Sequence, residues 1–222
     1  MTRSHISPKL AAPVWAAFRR HCHRFLAIGY QQALPRILNE RDEEPDITGY
    51  ICEAIKEWFL ANTKDSFGFF VVDDPILRGN KRAGKDRLKA DIIISYAAGS
   101  RPEFFFEAKR LHRTKAIASR YTGAGGMGCF ISKRYASHCH EVAMIGYVQS
   151  GTLEHWQTTL RNNIKAEWAK LKTDQIDESV SFQDSFPLEW SSSHRREGVA
   201  AIKLFHILLD CRKREIITEQ QT

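Results

Sequence analysis

Asp91, Glu107 and Lys109 have the residue types and spacing to do chemistry together. Asp91 stands directly before Ile92-Ile93-Ile94, Glu107 follows Phe104-Phe105-Phe106, and Lys109 comes two residues after Glu107. In extended chain, side chains alternate between faces, so Glu107 and Lys109 share one face and Ala108 takes the other. A hairpin joining the two apolar runs brings Asp91 beside Glu107. Two carboxylates held side by side in a core are unfavourable unless they are protonated or bridged by a cation. A hard divalent ion such as Mg²⁺ prefers oxygen donors of this kind and keeps positions for water and a phosphate oxygen. Lys109 would then orient or activate the attacking water and offset charge in a phosphorane-like transition state.

The elements that must position these groups are legible as hydrophobic patterns. Arg87–Tyr96 (RLKADIIISY) reads as a strand with Asp91 in its middle, the segment 97–102 as a turn, and Glu103–Leu111 (EFFFEAKRL) as the hairpin partner. Three consecutive phenylalanines are too many for a half-exposed strand, which predicts a central place in a sheet covered on both faces. Upstream, Ile51, Ile55 and Trp58 fall on one helical face behind Pro45 and Asp46, predicting a helix over 45–62. Phe67–Val72 reads as a strand that stops at Asp73-Asp74-Pro75. Downstream come a glycine-rich loop at 121–128, a helix through about His138, and a core strand Val142–Val148. An amphipathic helix over 152–172, an irregular stretch or short edge strand over 181–190, and a buried strand over 199–209 complete the pattern. Residues 9–39 carry apolar residues at helical intervals interrupted by Pro13 and Pro35, as in two helices or a broken one.

Asp91, a turn, then Glu107-Ala108-Lys109, set in this αβββαβ succession, resembles the PD-(D/E)xK nuclease superfamily, which includes many restriction endonucleases. The likeness spans roughly residues 40–150. Ala90 stands where the motif has its proline, a position that varies widely in the superfamily. The resemblance implies an α/β fold with a restriction endonuclease-like mixed central sheet flanked by helices. One domain is expected, with helices 9–39 and a helix and strand over 151–210 added to its core. It also implies Asp91 and Glu107 as metal ligands, the Ala108 carbonyl as a further ligand, and Mg²⁺ as the cofactor, with Mn²⁺ as its substitute. Lys109 would handle the attacking water. Superfamily members often add an acid from the helix before the first strand, and Glu44 is the best match, with Asp46 and Glu43 as competitors.

Charge distribution points to a polyanionic partner. The formal net charge is +7, from 33 Lys and Arg against 26 Asp and Glu. Arg78, Lys81, Arg82, Lys85, Arg87 and Lys89 form one basic run, and Lys109, Arg110, Arg113, Lys115 and Arg120 form another; both flank the acidic pair. Lys81, Arg82, Lys85, Arg110, Arg113, Lys115, Lys133 and Arg134 are therefore the candidate nucleic-acid contacts. The glycine-rich loop lacks the GK[ST] ending of a P-loop and the setting of a dinucleotide fingerprint. Its amides offer either a phosphate contact at a helix N-terminus or a plain turn.

Other classes find little support. Five scattered cysteines without a CxxC pair argue against a disulfide framework and a zinc ribbon. His21-Cys22-His23 and His138-Cys139-His140 space their imidazoles two apart, which does not converge on a metal from a helix, so they read as surface histidines around a packed cysteine. No apolar run approaches the ~20 residues that span a bilayer, and the N-terminus shows no signal-peptide pattern, so a cytoplasmic protein without membrane contact is expected. The leading expectation is a Mg²⁺-dependent nuclease acting on DNA in restriction, anti-phage defence or DNA processing, working as a homodimer or with a sensor or motor subunit. The alternative is a catalytically silent nucleic-acid-binding or scaffold subunit of the same fold.

Overall fold

Phe104, Phe105 and Phe106 are all buried because the strand that carries them, β3 (Glu103–Leu111), lies inside a sheet covered on both faces. The computed structural model describes residues 12–37, 42–73, 90–97, 101–112, 116–134, 136–177 and 186–212. These form a mixed seven-stranded sheet in the order β1-β2-β3-β4-β7-β6-β5, with β1 at Phe69–Asp73, β2 at Ile92–Tyr96, β4 at Glu141–Val148, β5 at Thr173–Asp177, β6 at Leu188–Arg196 and β7 at Val199–Asp210. β1, β2 and β3 pair antiparallel, β3, β4 and β7 pair parallel, and β6 and β5 return antiparallel.

One face of the sheet packs against α1 (Ala12–Ala33) and α2 (Glu44–Ala61), burying Phe104, Phe106, Ala108, Ile145 and Tyr147. The opposite face packs against α3 (Ala116–Thr122), α4 (Met127–Ile131) and α5 (Leu153–Ala166), burying Phe105, Leu111, Met144 and Leu208. The two cores explain why the central strands are apolar on both sides. Pro13 sits in the first turn of α1, where a missing N–H costs nothing, and Pro35 falls in a short 3₁₀ turn at Leu34–Arg36 that ends the segment. No helix of the described residues is long and apolar enough to cross a membrane.

Several boundaries differ from the pattern-based expectation. β2 begins only at Ile92, so Asp91 occupies a bend immediately before the strand rather than its middle. α4 has five residues instead of reaching His138, and Lys133 and Ala136 then adopt φ of 61° and 52°, which end helical geometry. α5 stops at Ala166, and the chain turns into the edge strand β5. Of the stretch 181–190, residues 181–185 lie outside the described residues, and Leu188–Trp190 opens β6, which is an interior strand and not an edge.

The polar stretch that hid β6 is satisfied by a buried hydrogen-bond chain. His194 Nδ1 lies 2.9 Å from the Leu171 carbonyl and must donate to it, which makes Nε2 the acceptor of the Ser192 hydroxyl at 2.7 Å. Ser192 Oγ in turn accepts from His206 Nε2 at 2.7 Å, leaving His206 Nδ1 to accept from the Tyr121 hydroxyl at 3.0 Å. Burial lowers the pKa of both imidazoles and so favours the neutral rings this arrangement requires, and the chain ties α3 to the sheet. His23 is likewise a core residue and not a surface one, 3.0 Å from Glu189. His138 and His140 are exposed in a turn around the buried Cys139.

Candidate functional site

The β2–β3 register pairs Ile92 with Phe106, so the next step of the ladder sets Asp91 opposite Glu107. Asp91 closes the end of that ladder, its Oδ2 accepting the Ala108 N–H at 2.6 Å. Glu107 and Lys109 share the parity of Phe105 and Leu111 and therefore face the α3–α5 side. On β4, Gly146 lies beside Lys109 in the parallel ladder. A Cβ there would come within 2.5 Å of a Leu208 methyl and 2.6 Å of a Leu111 methyl, so a larger residue next to the lysine would require both leucines to shift.

Glu44 arrives from the first turn of α2. Its Oε1 accepts from Lys109 Nζ and its Oε2 from the Arg110 backbone N–H, both at 3.1 Å. Its competitors take other parts. Asp46 accepts the Glu43 N–H at 3.2 Å as a helix-capping acid, and Glu43 pairs with the Arg110 guanidinium at 2.6 Å. The helix start is anchored from below by Thr48, whose hydroxyl meets the buried Tyr147 hydroxyl at 3.0 Å.

Lys109 is the hub of the cluster. Its Nζ contacts Glu107 Oε1 at 2.9 Å, Glu44 Oε1 at 3.1 Å, the Ala108 carbonyl, and Asp91 Oδ2 at 3.9 Å. Burial by itself lowers the pKa of this amine, but the charges of Glu107, Glu44 and Asp91 outweigh it and hold the ammonium above its ordinary range. In this arrangement the ammonium compensates the charge of the three carboxylates.

Beside this cluster opens a cleft of about 470 Å³ lined by Glu44, Lys109, Ser119, Arg120, Gly123, Ala124 and Gly125. Arg120 is exposed there and makes no ion pair with another described residue. The glycine-rich loop folds on itself rather than offering a cradle: the Gly126 and Gly128 amides both donate to the Gly123 carbonyl, at 3.0 and 2.9 Å. A Cβ on Gly126 would lie 2.1 Å from the Tyr121 carbonyl, so packing alone accounts for that glycine.

The chain matches no protein family, no curated protein and no solved structure.

Function is therefore read from the chemistry of the site. The oxygens gathered around Lys109 come from three carboxylates and a carbonyl, a donor set suited to a hard divalent ion and unsuited to a soft one. Among the described residues, no group of three or more His, Cys, Asp or Glu is arranged to hold a metal ion. The oxygens converge on the ammonium, and Asp91 is turned toward a backbone amide.

The expected nucleic-acid contacts separate into three groups. Lys81, Arg82, Lys85, Arg113 and Lys115 lie outside the described residues. Arg110 is engaged internally, by Glu43 and by the Gln149 side chain at 2.7 Å, so it braces the site instead of presenting a free cation. Lys133 donates to the Glu197 carbonyl at 2.6 Å, in the turn preceding β7. Leu208, in register with Gly146, lies nine residues beyond Val199, the first residue of β7. At ~3.3 Å per residue, that sets the turn reached by the Lys133 amine roughly 30 Å from the level of Lys109 along the strands, while Arg134 is exposed.

Gln149 was not anticipated. It is buried, receives Arg110 and donates to the Asp42 carbonyl at 2.9 Å, linking β4 to the start of α2. Its sequence signal was a polar residue directly after the apolar run of β4.

Proposed function

We propose that the chain is a metal-dependent nuclease of the PD-(D/E)xK kind that hydrolyses DNA phosphodiesters. The observation that carries this reading is the convergence of Asp91, Glu107 and Glu44, from three separate elements, on Lys109, which together with Glu44 lines one cleft. The order α2-β1-β2-β3-α3-α4-β4 supports it, because it follows the αβββαβ succession of that superfamily with two short helices, α3 and α4, in place of one.

In this reading Asp91, Glu107 and the Ala108 carbonyl hold Mg²⁺ or Mn²⁺, with Glu44 assisting. Such an ion supplies Lewis-acid activation of a phosphate oxygen and of water. Lys109 would offset the charge that builds on the phosphate. Arg120, which also lines the cleft, would receive a backbone phosphate. Substrate selection would come from a second copy of the chain or from a sensor or motor subunit. The test is incubation of the purified protein with plasmid, linear and single-stranded DNA and with RNA, in Mg²⁺, Mn²⁺ or EDTA. Ion-dependent cleavage of DNA is expected. Binding without cleavage in every condition would instead favour a silent binding subunit.

A further inference from the structure

The oxygens that a divalent ion would need are already in use. Lys109 Nζ lies 2.9 Å from Glu107 and 3.1 Å from Glu44, touches the Ala108 carbonyl, and sits 3.9 Å from Asp91. A hard dication requires the same oxygens at about 2.0–2.5 Å. An ammonium and a dication cannot share them, since like charges a few ångströms apart in a half-buried site repel by several kcal/mol at an effective dielectric of ~20. We infer that the Lys109 side chain is the built-in counter-cation of this carboxylate cluster, and that a divalent ion binds only as Lys109 swings out into the adjoining cleft.

The inference rests on the metal-dependent reading above and adds an order of events to it. The cleft gives the amine somewhere to go: it runs from Lys109 past Ser119 and Arg120 to Gly123, Ala124 and Gly125. Once displaced, the ammonium no longer neutralises carboxylates and faces the same space as Arg120. Ion binding would thus convert Lys109 from an internal partner into a second cleft cation. Ion and phosphate binding would then reinforce each other reciprocally. Lys109 and the ion compete for one set of oxygens but cooperate toward a polyanion.

The probe is Mn²⁺, with binding followed by electron paramagnetic resonance and unfolding followed by thermal melting. Wild type is compared with Lys109→Met and with Lys109→Gln, whose amide still donates hydrogen bonds without charge. Both variants are expected to bind Mn²⁺ about tenfold more tightly or better, because no cation has to be expelled. They should also melt lower than wild type in EDTA and regain more of their melting temperature on adding Mn²⁺. A second measurement needs no variant. Reductive methylation of wild-type lysines, read by mass spectrometry, should label Lys109 slowly in EDTA and several-fold faster in Ca²⁺.

Unchanged or weaker Mn²⁺ affinity in both variants overturns the inference, as does Lys109 labelling that ignores saturating Ca²⁺. If wild type still cleaves DNA in Mg²⁺ in those cases, the nuclease reading stands while the displacement idea falls. Tighter Mn²⁺ binding by the variants, with no cleavage by wild type in any ion, supports displacement and removes the nuclease reading. Absence of Mn²⁺ binding in all three proteins overturns both.

Discussion

Glu44 is held at both carboxylate oxygens by consecutive residues of β3: Lys109 Nζ on Oε1 and the Arg110 N–H on Oε2, each at 3.1 Å. An acid in the first turn of a helix is favoured simply because it offsets the helix dipole. Here the side chain turns away from its own helix and reaches the sheet, so its function can be separated from capping. Glu44→Gln is expected to lower turnover roughly 10–100-fold, the scale of a lost supporting ligand. The matched change Asp46→Asn removes a capping acid and should shift stability by no more than about 1 kcal/mol, with cleavage untouched. Initial rates and urea midpoints of the two variants check this. Equal turnover in Glu44→Gln and wild type would return Glu44 to the role of a dipole acid.

The proposed function gives Asp91 two duties that a conservative change divides. Its Oδ2 receives the Ala108 N–H at 2.6 Å, which an amide oxygen can still do. Asp91→Asn should therefore keep a near-wild-type urea midpoint while losing ion-dependent cleavage. Asp91→Ala should lose cleavage and stability together, by about 1–3 kcal/mol, since it leaves the Ala108 N–H without that acceptor. Full activity in Asp91→Asn would remove Asp91 from the ligand set.

The triad was legible because its surroundings are regular: Glu107 and Lys109 sit two apart on an apolar strand, and the periodicity alone puts them on one face. Glu44 was harder, since three acids crowd the start of α2 and only the contacts with Lys109 and Arg110 separate it from Glu43 and Asp46. The basic residues show where such reading fails. Lys133 follows the site by about 25 residues in sequence, yet its amine reaches the turn before β7, because β4 and β7 run parallel to β3 and the chain between β3 and β4 must travel back to their starting ends. The Ser191-Ser192-Ser193-His194 part of β6 carries no apolar run from which to read a strand, and it lies inside the sheet because its buried hydroxyl and imidazole groups satisfy one another.

That buried chain makes acid stability a test of the fold. Burial lowers the pKa of His194 from 6.5 to about 4, against smaller opposing effects of the Leu171 carbonyl and Asp174. The unfolded chain takes up this proton near the ordinary value and the native chain resists it, so stability is complete above pH 6.5 and falls as pH drops toward 4. At 1.36 kcal/mol per pKa unit, the loss from this residue is roughly 3 kcal/mol over that window. His206, also lowered by burial, adds to it in the same direction. Urea midpoints at steps between pH 7.5 and 4 should show the decline, and His194→Gln should flatten it. An equally steep decline in that variant would assign the effect elsewhere.

Arg120 and Lys133 separate a cleft contact from a distant charge. If the cleft receives DNA, Arg120→Ala should weaken binding and reduce the log–log salt slope by about one unit. Stability should change by no more than about 0.5 kcal/mol, because Arg120 is exposed. Lys133→Ala removes the same charge at the other end of β7 and should leave binding unchanged. Fluorescence anisotropy with a labelled duplex at several salt concentrations reads both, and equal losses would mean that only overall charge matters.

The most direct measurement compares wild type with Glu107→Gln on supercoiled plasmid in Mg²⁺, Mn²⁺ and EDTA. Glu107 is buried, sits opposite Asp91 and contacts Lys109 at 2.9 Å, while its amide analogue keeps the shape and loses the charge. Wild type should convert plasmid to nicked or linear DNA with either ion and not in EDTA, and Glu107→Gln should leave it supercoiled under all three conditions. Cleavage by Glu107→Gln at the wild-type rate, or none by wild type with either ion, would contradict a metal-dependent nuclease centred on these residues.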